Sequence, residues 1–231
     1  MRILLKLSGE ALAGDRKTGF DDATIVRVAG QVKRLVDSGV EVGVVIGGGN
    51  FWRGRQNETV DRVKADQIGM LATVMNAIYV SEIFRGEGMM TNILTPFECG
   101  SFTKLYSKDR ANKYFSKHMV VFFAGGTGHP YFSTDTGAVL RAVEIEADMI
   151  LLAKSIDGVY DSDPAKNKDA KRFDEISIDE VIARGLEVVD LTASILARDS
   201  HVPMRVFALQ EEESIWKAAS GDFNGTRVTA D

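Results

Sequence analysis

Two glycine turns and a small set of charged side chains are the residues whose types and spacing could do chemistry. The apolar run Val44-Val45-Ile46 ends in Gly47-Gly48-Gly49-Asn50, with Arg53 shortly after it. Met119 to Phe123 runs into Ala124-Gly125-Gly126-Thr127-Gly128. Without a Cβ, glycine lets backbone N–H groups close on an anion, and the guanidinium of Arg53 adds a fork of donors suited to phosphate. One triplet alone is equally a tight turn; the repetition favours an anion site. Lys6 sits inside the apolar segment Ile3–Leu7, beside Ser8-Gly9. An unpaired buried charge is costly, so Lys6 is either an edge lysine turned to water or a cation that meets phosphate. Ser133-Thr134-Asp135-Thr136-Gly137 precedes an apolar helical pattern. There Thr134 or Asp135 reads as an N-cap, and the helix start would aim its free amides at the adjoining glycine loop.

Other chemistries lack their residues. No GxxxxGK[ST] segment, protein-kinase signature set or GxGxxG fingerprint occurs. His118, His129 and His201 are scattered without metal-ligand spacing. The single Cys99 excludes an intrachain disulfide framework, reads as a packed side chain and fits a reducing cytoplasm.

The elements that must position these groups follow from periodicity. Strands are expected at Ile3–Leu7, Val42–Ile46, Met89–Leu94, Met119–Phe123, Met149–Ala153 and Met204–Ala208. Helices are expected at about 22–37, 62–85, 108–117, 134–147, 178–184, 191–198 and 212–219. Gly225-Thr226-Arg227-Val228 is expected as a terminal edge strand. The alternation implies an α/β fold with a mostly parallel sheet covered on both faces. In such sheets the ligand crevice lies beyond the carboxyl ends of the strands. Ser8-Gly9, Gly47–Asn50 and Gly125–Gly128 all fall there. Residues 1–231 read as one domain, with approximate lobes 1–160 and 161–231 meeting at the polar stretch Ser162–Asp174.

The 231 residues, 45% hydrophobic and 26% charged, are enough for a full core. A formal net charge of -5 argues against binding polymeric nucleic acid or a membrane surface. The expectation is a cytoplasmic protein, with no signal peptide and no apolar run of membrane-spanning length.

Taken together, the motifs resemble those of the bacterial uridylate (UMP) kinases of the amino acid kinase superfamily. They are Lys6 through Leu12; Gly43 through Asn50 with Arg53-Gly54; Asp66 with Gly69 through Asn76; Gly126-Thr127-Gly128 with Pro130 through Asp135; Ile145 through Asp148; Asp157 through Tyr160 with Asp163-Pro164; and Leu196 through Asp199 with Pro203 through Phe207. They span essentially the whole chain in the family's order.

The resemblance implies an αβα sandwich and ATP-dependent phosphorylation of UMP to UDP in pyrimidine nucleotide biosynthesis. It places Lys6, Leu7, Ser8, Gly9, Gly49 and Arg53 at ATP phosphates, and Lys154 or Ser155, Tyr160 and Asp163 at the adenosine end. It places Gly48, Asp66, Thr127, Gly128, His129, Pro130, Tyr131, Phe132, Ser133 and Thr134 around UMP, with Asp66 near the ribose. Lys6, Asp135 and Arg53 are then the catalytic set; Asp135 orients Lys6, and Asp190 supports the network. Mg2+ is expected to ride mainly on ATP phosphates and water, so no protein ligand to a metal is assigned. A homohexamer, feedback inhibition by UTP and an effector role for GTP are further implications. Gly14 through Asp21 departs from the commoner Gly-Phe-Gly-Ile-Asp pattern of a region linked to GTP activation in some members. His129 stands where the family often has asparagine, and reads as a tolerant loop residue rather than a base.

A phosphate acceptor explains the lack of a histidine base. The second pKa of a phosphate monoester is about 6, so an anionic oxygen is already available at neutral pH. The difficulty is crowded negative charge, which fixed cations and amides answer. Two alternatives stay open: a carboxylate kinase of the same superfamily, and a pyrimidine-nucleotide sensor without turnover.

Overall fold

The computed structural model describes residues 1–16, 18–52 and 59–230. Among them the strands are β1 (Arg2–Leu7), β2 (Glu41–Ile46), β3 (Thr91–Thr95), β4 (Lys104–Leu105), β5 (Val120–Phe123), β6 (Met149–Lys154), β7 (Glu175–Ser177), β8 (Met204–Ala208) and β9 (Thr226–Thr229). The helices are α1 (Gly9–Ala13), α2 (Asp22–Asp37), α3 (Arg62–Gly86), α4 (Lys108–Phe115), α5 (Thr134–Glu144), α6 (Ile178–Arg184), α7 (Leu191–Asp199) and α8 (Ser214–Ser220). One sheet runs β4-β3-β5-β2-β1-β6-β8-β9-β7. Its pairings are parallel apart from β8 with β9.

The central strands are apolar along their length because helices cover both faces. Ile3, Leu5 and Leu7 join a core with α2, α3 and α8, through Val32, Phe84 and Ile215 among others. Leu4 joins the opposite core, with Phe115 of α4, Val139 of α5, Val181 of α6 and Ala197 of α7. The result is the expected α/β sandwich of three layers. Strand side chains alternate between faces, so Lys6 falls on the Leu4 side, beneath the layer that contains α5. Its Cα stands in register with Val45 of β2 and Leu152 of β6. The charge therefore lies at the middle of the sheet, and the edge-lysine reading fails.

Several expectations need correction. The final strand is not an edge: β9 lies between β8 and β7, and the edge is the short Glu175–Ser177 segment, too brief to show a period. The helix from residue 134 stops at Glu144, because Glu146 turns into the left-handed region (φ 55°). Its N-cap is Ser133, whose Oγ accepts from Thr136 N at 3.1 Å, rather than Thr134 or Asp135. Helix α3 is long and apolar enough to cross a membrane by length and composition, contrary to expectation. It packs on the sheet instead, with Thr73, Asn76 and Ser81 on its buried side.

Candidate active site

Lys6 Nζ lies 2.7 Å from Asp135 Oδ1, and both side chains are largely covered. Asp135 is in the first turn of α5, where the helix N-terminus favours a carboxylate. Asp190 fixes that helix start. Its carboxylate accepts from Ser133 Oγ, from Thr136 Oγ1 at 3.0 Å, and from Ala193 N at 3.0 Å as the cap of α7. Asp190 thus ties the start of the helix that carries Asp135 to the start of α7. Lys154 closes the group at the end of β6, donating to Val188 O. Burial pushes Lys154 below the usual lysine range; Asp135 counters that and nearby Lys6 adds to it.

The glycine turns are built by close backbone approach. Gly47 N donates to Leu7 O at 3.0 Å, and a Cβ on Gly9 would fall 2.3 Å from Gly47 O. Gly137, one turn into α5, sits against the second glycine turn, where a Cβ would be 3.1 Å from Gly126 Cα. Among the described residues no hydrogen bond occupies the amides of Gly48, Gly49, Gly126 or Thr127. These four N–H groups on two neighbouring turns are donors for anions.

Between the turns and α3 lies a cleft of about 290 Å³, bordered by Gly48, Gly49, Asp66, Gly126, Thr127, Phe132, Ser133 and Thr134. Asp66 Oδ2 accepts from Tyr131 N at 2.7 Å and from Arg62 Nε at 2.8 Å. That tie holds Tyr131 in the left-handed region (φ 73°), a conformation that persists in a bulky residue only when its surroundings impose it. A second cleft of about 490 Å³ lies past the ends of β6 and β8, bordered by Lys154, Gly158, Tyr160, Asp163, Leu186 and Val206 among others. Tyr160 Oη donates to Asp157 at 2.8 Å, and Arg172 holds the same carboxylate. A cavity of about 440 Å³ shares Ser133 with the first cleft and Lys154 with the second, and Asp135 borders it. The three cavities are neighbours through these shared residues, and Asp135, the partner of Lys6, borders the central one.

The expected residues are not all brought together. Gly48, Asp66, Thr127, Phe132, Ser133 and Thr134 share the first cleft, and so does Gly49, which was expected at the opposite nucleotide. Gly128 packs on Pro96, Pro130 and Tyr131 do not border the cleft, and His129 faces a groove between α5 and α7. Lys154, Tyr160 and Asp163 share the second cleft, whereas Ser155 is exposed and does not border it. Leu7 is wholly buried, and Ser8 precedes α1. Arg53 lies outside the described residues. Trp52, Ala65, Met70 and Thr73 border the first cleft without having been singled out as site residues. The helical spacing of Asp66, Met70 and Thr73 on one face was the signal available for two of them.

A sequence model of the amino acid kinase family matches residues 1–208. Among solved structures, UMP kinase from Bacillus anthracis is 35% identical with a TM-score of 0.95, covering 100% of this chain and 96% of that one. UMP kinase from Ureaplasma parvum is 32% identical with a TM-score of 0.94, covering 99% and 98%. Uridylate kinase from Archaeoglobus fulgidus is 25% identical with a TM-score of 0.75, covering 99% and 100%. With a match across nearly its whole length, and with glycine turns at the strand ends beside a buried lysine, the chain belongs to the amino acid kinase family.

Proposed function

We propose that this chain is a UMP kinase, which transfers the γ-phosphoryl group of ATP to UMP and yields UDP and ADP. The observation that carries the reading is the pair of neighbouring clefts, joined through a cavity bordered by Asp135, the ion-pair partner of Lys6. Likeness to UMP kinases over the full chain selects the acceptor. The first cleft takes UMP, with its phosphate toward the amides of Gly48, Gly126 and Thr127. The second takes the adenosine end of ATP, leaving its phosphates directed at Lys6, Ser8, Gly9 and Arg53. An anionic oxygen of UMP attacks the γ-phosphorus while the bond to the β,γ-bridging oxygen breaks and ADP departs. No proton needs to be removed, since UMP is already ionised at neutral pH. Lys6 supports the charge on the moving group, and Asp135 keeps its ammonium aimed.

Among the described residues no group of three or more His, Cys, Asp or Glu could hold a metal. Asp135 and Glu187, which border the central cavity, are the hard oxygen donors Mg2+ takes directly or through water. That set fits an ion carried mainly by ATP phosphates, where it would neutralise part of their charge.

The division into an acceptor lobe over 1–160 and a donor side over 161–231 belongs to the same proposal. So do a cytoplasmic homohexamer in pyrimidine biosynthesis, UTP as competitor at the uridine end and GTP as effector. Support for assembly comes from Ile68, Leu71, Met75 and Ile78, an exposed apolar row along α3. The deciding experiment is a coupled ADP-release assay offering UMP, CMP, acetylglutamate and aspartate, with and without UTP and GTP. UMP-dependent release is expected; release with acetylglutamate or aspartate alone would move the chain to a carboxylate kinase, and none at all to a sensor.

A further inference from the structure

One face of α3 grips both glycine turns. Gly69, Ala72, Thr73 and Asn76 follow the i, i+3, i+4, i+7 spacing of a single helical stripe. Asn76 Nδ2 donates to Gly47 O at 2.7 Å and to Asn50 Oδ1 at 2.8 Å. Asn50 Nδ2 returns a bond to Asn76 Oδ1 at 3.0 Å and holds Gly19 O at 2.9 Å. Both amides are almost fully buried, and all four of their N–H and C=O functions are engaged within that set.

Thr73 does something no other residue of the stripe does. Its hydroxyl accepts from Gly125 N at 2.8 Å, at the base of the second turn, and donates to Met70 O at 2.6 Å. Its methyl faces the first turn, where a Cβ on Gly48 would be 3.6 Å from Thr73 Cγ2. One buried side chain therefore bonds the second turn through its hydroxyl and faces the first with its methyl. The gap between those turns is the mouth of the first cleft, bordered by Gly48 on one side and Gly126 and Thr127 on the other.

We propose that Thr73 is a positioning residue for the acceptor: it sets the separation of the two glycine turns, and Asn76 locks the first turn to the same helix. The amides of Gly48, Gly126 and Thr127 then converge on one phosphate without reorganising. This rests on the assignment of the first cleft to UMP, and it adds a role for a residue that need not touch the nucleotide.

The side chain's two halves separate the test. Thr73→Val keeps the methyl and removes the acceptor for Gly125 N; Thr73→Ser keeps the hydroxyl. Ser81→Ala is the control, because Ser81, on the same helix but away from both turns, makes a buried 2.7 Å bond to Thr91 Oγ1 of β3. Steady-state kinetics with each substrate varied in turn, and thermal melts, are measured for all three. The expected result is a KM for UMP raised at least tenfold in Thr73→Val, a smaller rise in Thr73→Ser, which loses the methyl but keeps the bond to Gly125 N, and a KM for ATP within about twofold in both. Ser81→Ala should lower the melting temperature without moving either KM. Unchanged UMP kinetics in Thr73→Val, or equal changes for both substrates, would overturn the proposal. Failure of the unmodified chain to phosphorylate UMP would instead overturn the assignment of the cleft.

Discussion

Lys6 of β1 and Asp135 of α5 meet at 2.7 Å in the middle of the sheet, with side-chain exposures of 11% and 22%. Such a pair loses much of its hydration, so its retention as a stabilising device would be a poor bargain against two apolar residues. Its place beside the central cavity is the ground for the catalytic role proposed above. Lys6→Ala should keep the fold by circular dichroism but lower turnover by a hundredfold or more, the loss of about 2.7–4 kcal/mol typical of one preorganised donor. Asp135→Asn should lower turnover as well, without bringing an acidic limb of the pH–rate profile toward neutrality. Combining Lys6→Met with Asp135→Asn removes both charges and should recover stability relative to either single change, as contacting residues do. Activity should not recover with it. If turnover in Lys6→Ala is close to normal, the lysine has no part in the transfer.

Close approach of Gly9 to Gly47 gives a second prediction. A Cβ at Gly9 would lie 2.3 Å from Gly47 O and 2.7 Å from Asn50 Oδ1, so the turn must shift to admit it. Gly9→Ala should cost about 1–3 kcal/mol by urea unfolding, the range for overpacking, and should reduce turnover too. Gly30, inside α2, has open space around it and no left-handed φ. Gly30→Ala should stabilise by about 0.5–1 kcal/mol and leave turnover alone. Equal effects of the two substitutions would refute the packing argument.

The contrast also shows what was legible before folding. Strands such as Val42–Ile46 and the helix Asp22–Asp37 announce themselves through apolar runs and period, and the strand-end glycines fix where the crevice lies. Lys6 was legible as an anomaly in an apolar strand. Its partner Asp135 came from the family resemblance alone, because spacing cannot show a pairing that depends on β1 lying between β2 and β6 and on which layer receives α5. Thr73 was hidden for a different reason. A threonine in a long apolar helix looks like filler until Gly125 N is placed beneath it. The edge strand Glu175–Ser177 is simply too short for any pattern to emerge.

Lys154 carries a pH dependence of stability. Burial holds it below the ordinary lysine value of 10.5, the nearby Asp135 and Glu187 offsetting part of the shift and Lys6 adding to it. Between its folded value and 10.5 the unfolded chain binds a proton that the folded chain has lost. Stability should therefore rise with pH across that window. Below the folded value the cost of the buried cation is fully present. Lys154→Met should flatten this alkaline rise in urea midpoints. A slope identical to that of the unmodified chain would show that other groups produce it.

Asp66 offers the last test, because its carboxylate is already engaged. Oδ2 accepts from Tyr131 N at 2.7 Å and from Arg62 Nε at 2.8 Å, and the side chain is 12% exposed. The family resemblance puts Asp66 near the ribose, whereas the geometry makes it the latch that ties the loop before α5 to α3. The two roles differ in which acceptors suffer. A carboxylate acting through the 2′-hydroxyl would, on replacement, penalise UMP far more than 2′-deoxy-UMP, since a lost hydrogen bond matters only to the substrate that makes it. A latch shapes the cleft for both. Asp66→Ala should thus raise KM for UMP and 2′-deoxy-UMP in parallel, by about tenfold or more for loss of a charge-assisted contact of roughly 1.5–3 kcal/mol. KM for ATP should stay put. Arg62→Ala leaves the Tyr131 N bond to Asp66 in place and removes a partly exposed ion pair and a cation–π contact with the Tyr131 ring, so its effect should be smaller. A selective loss for UMP would return Asp66 to the ribose.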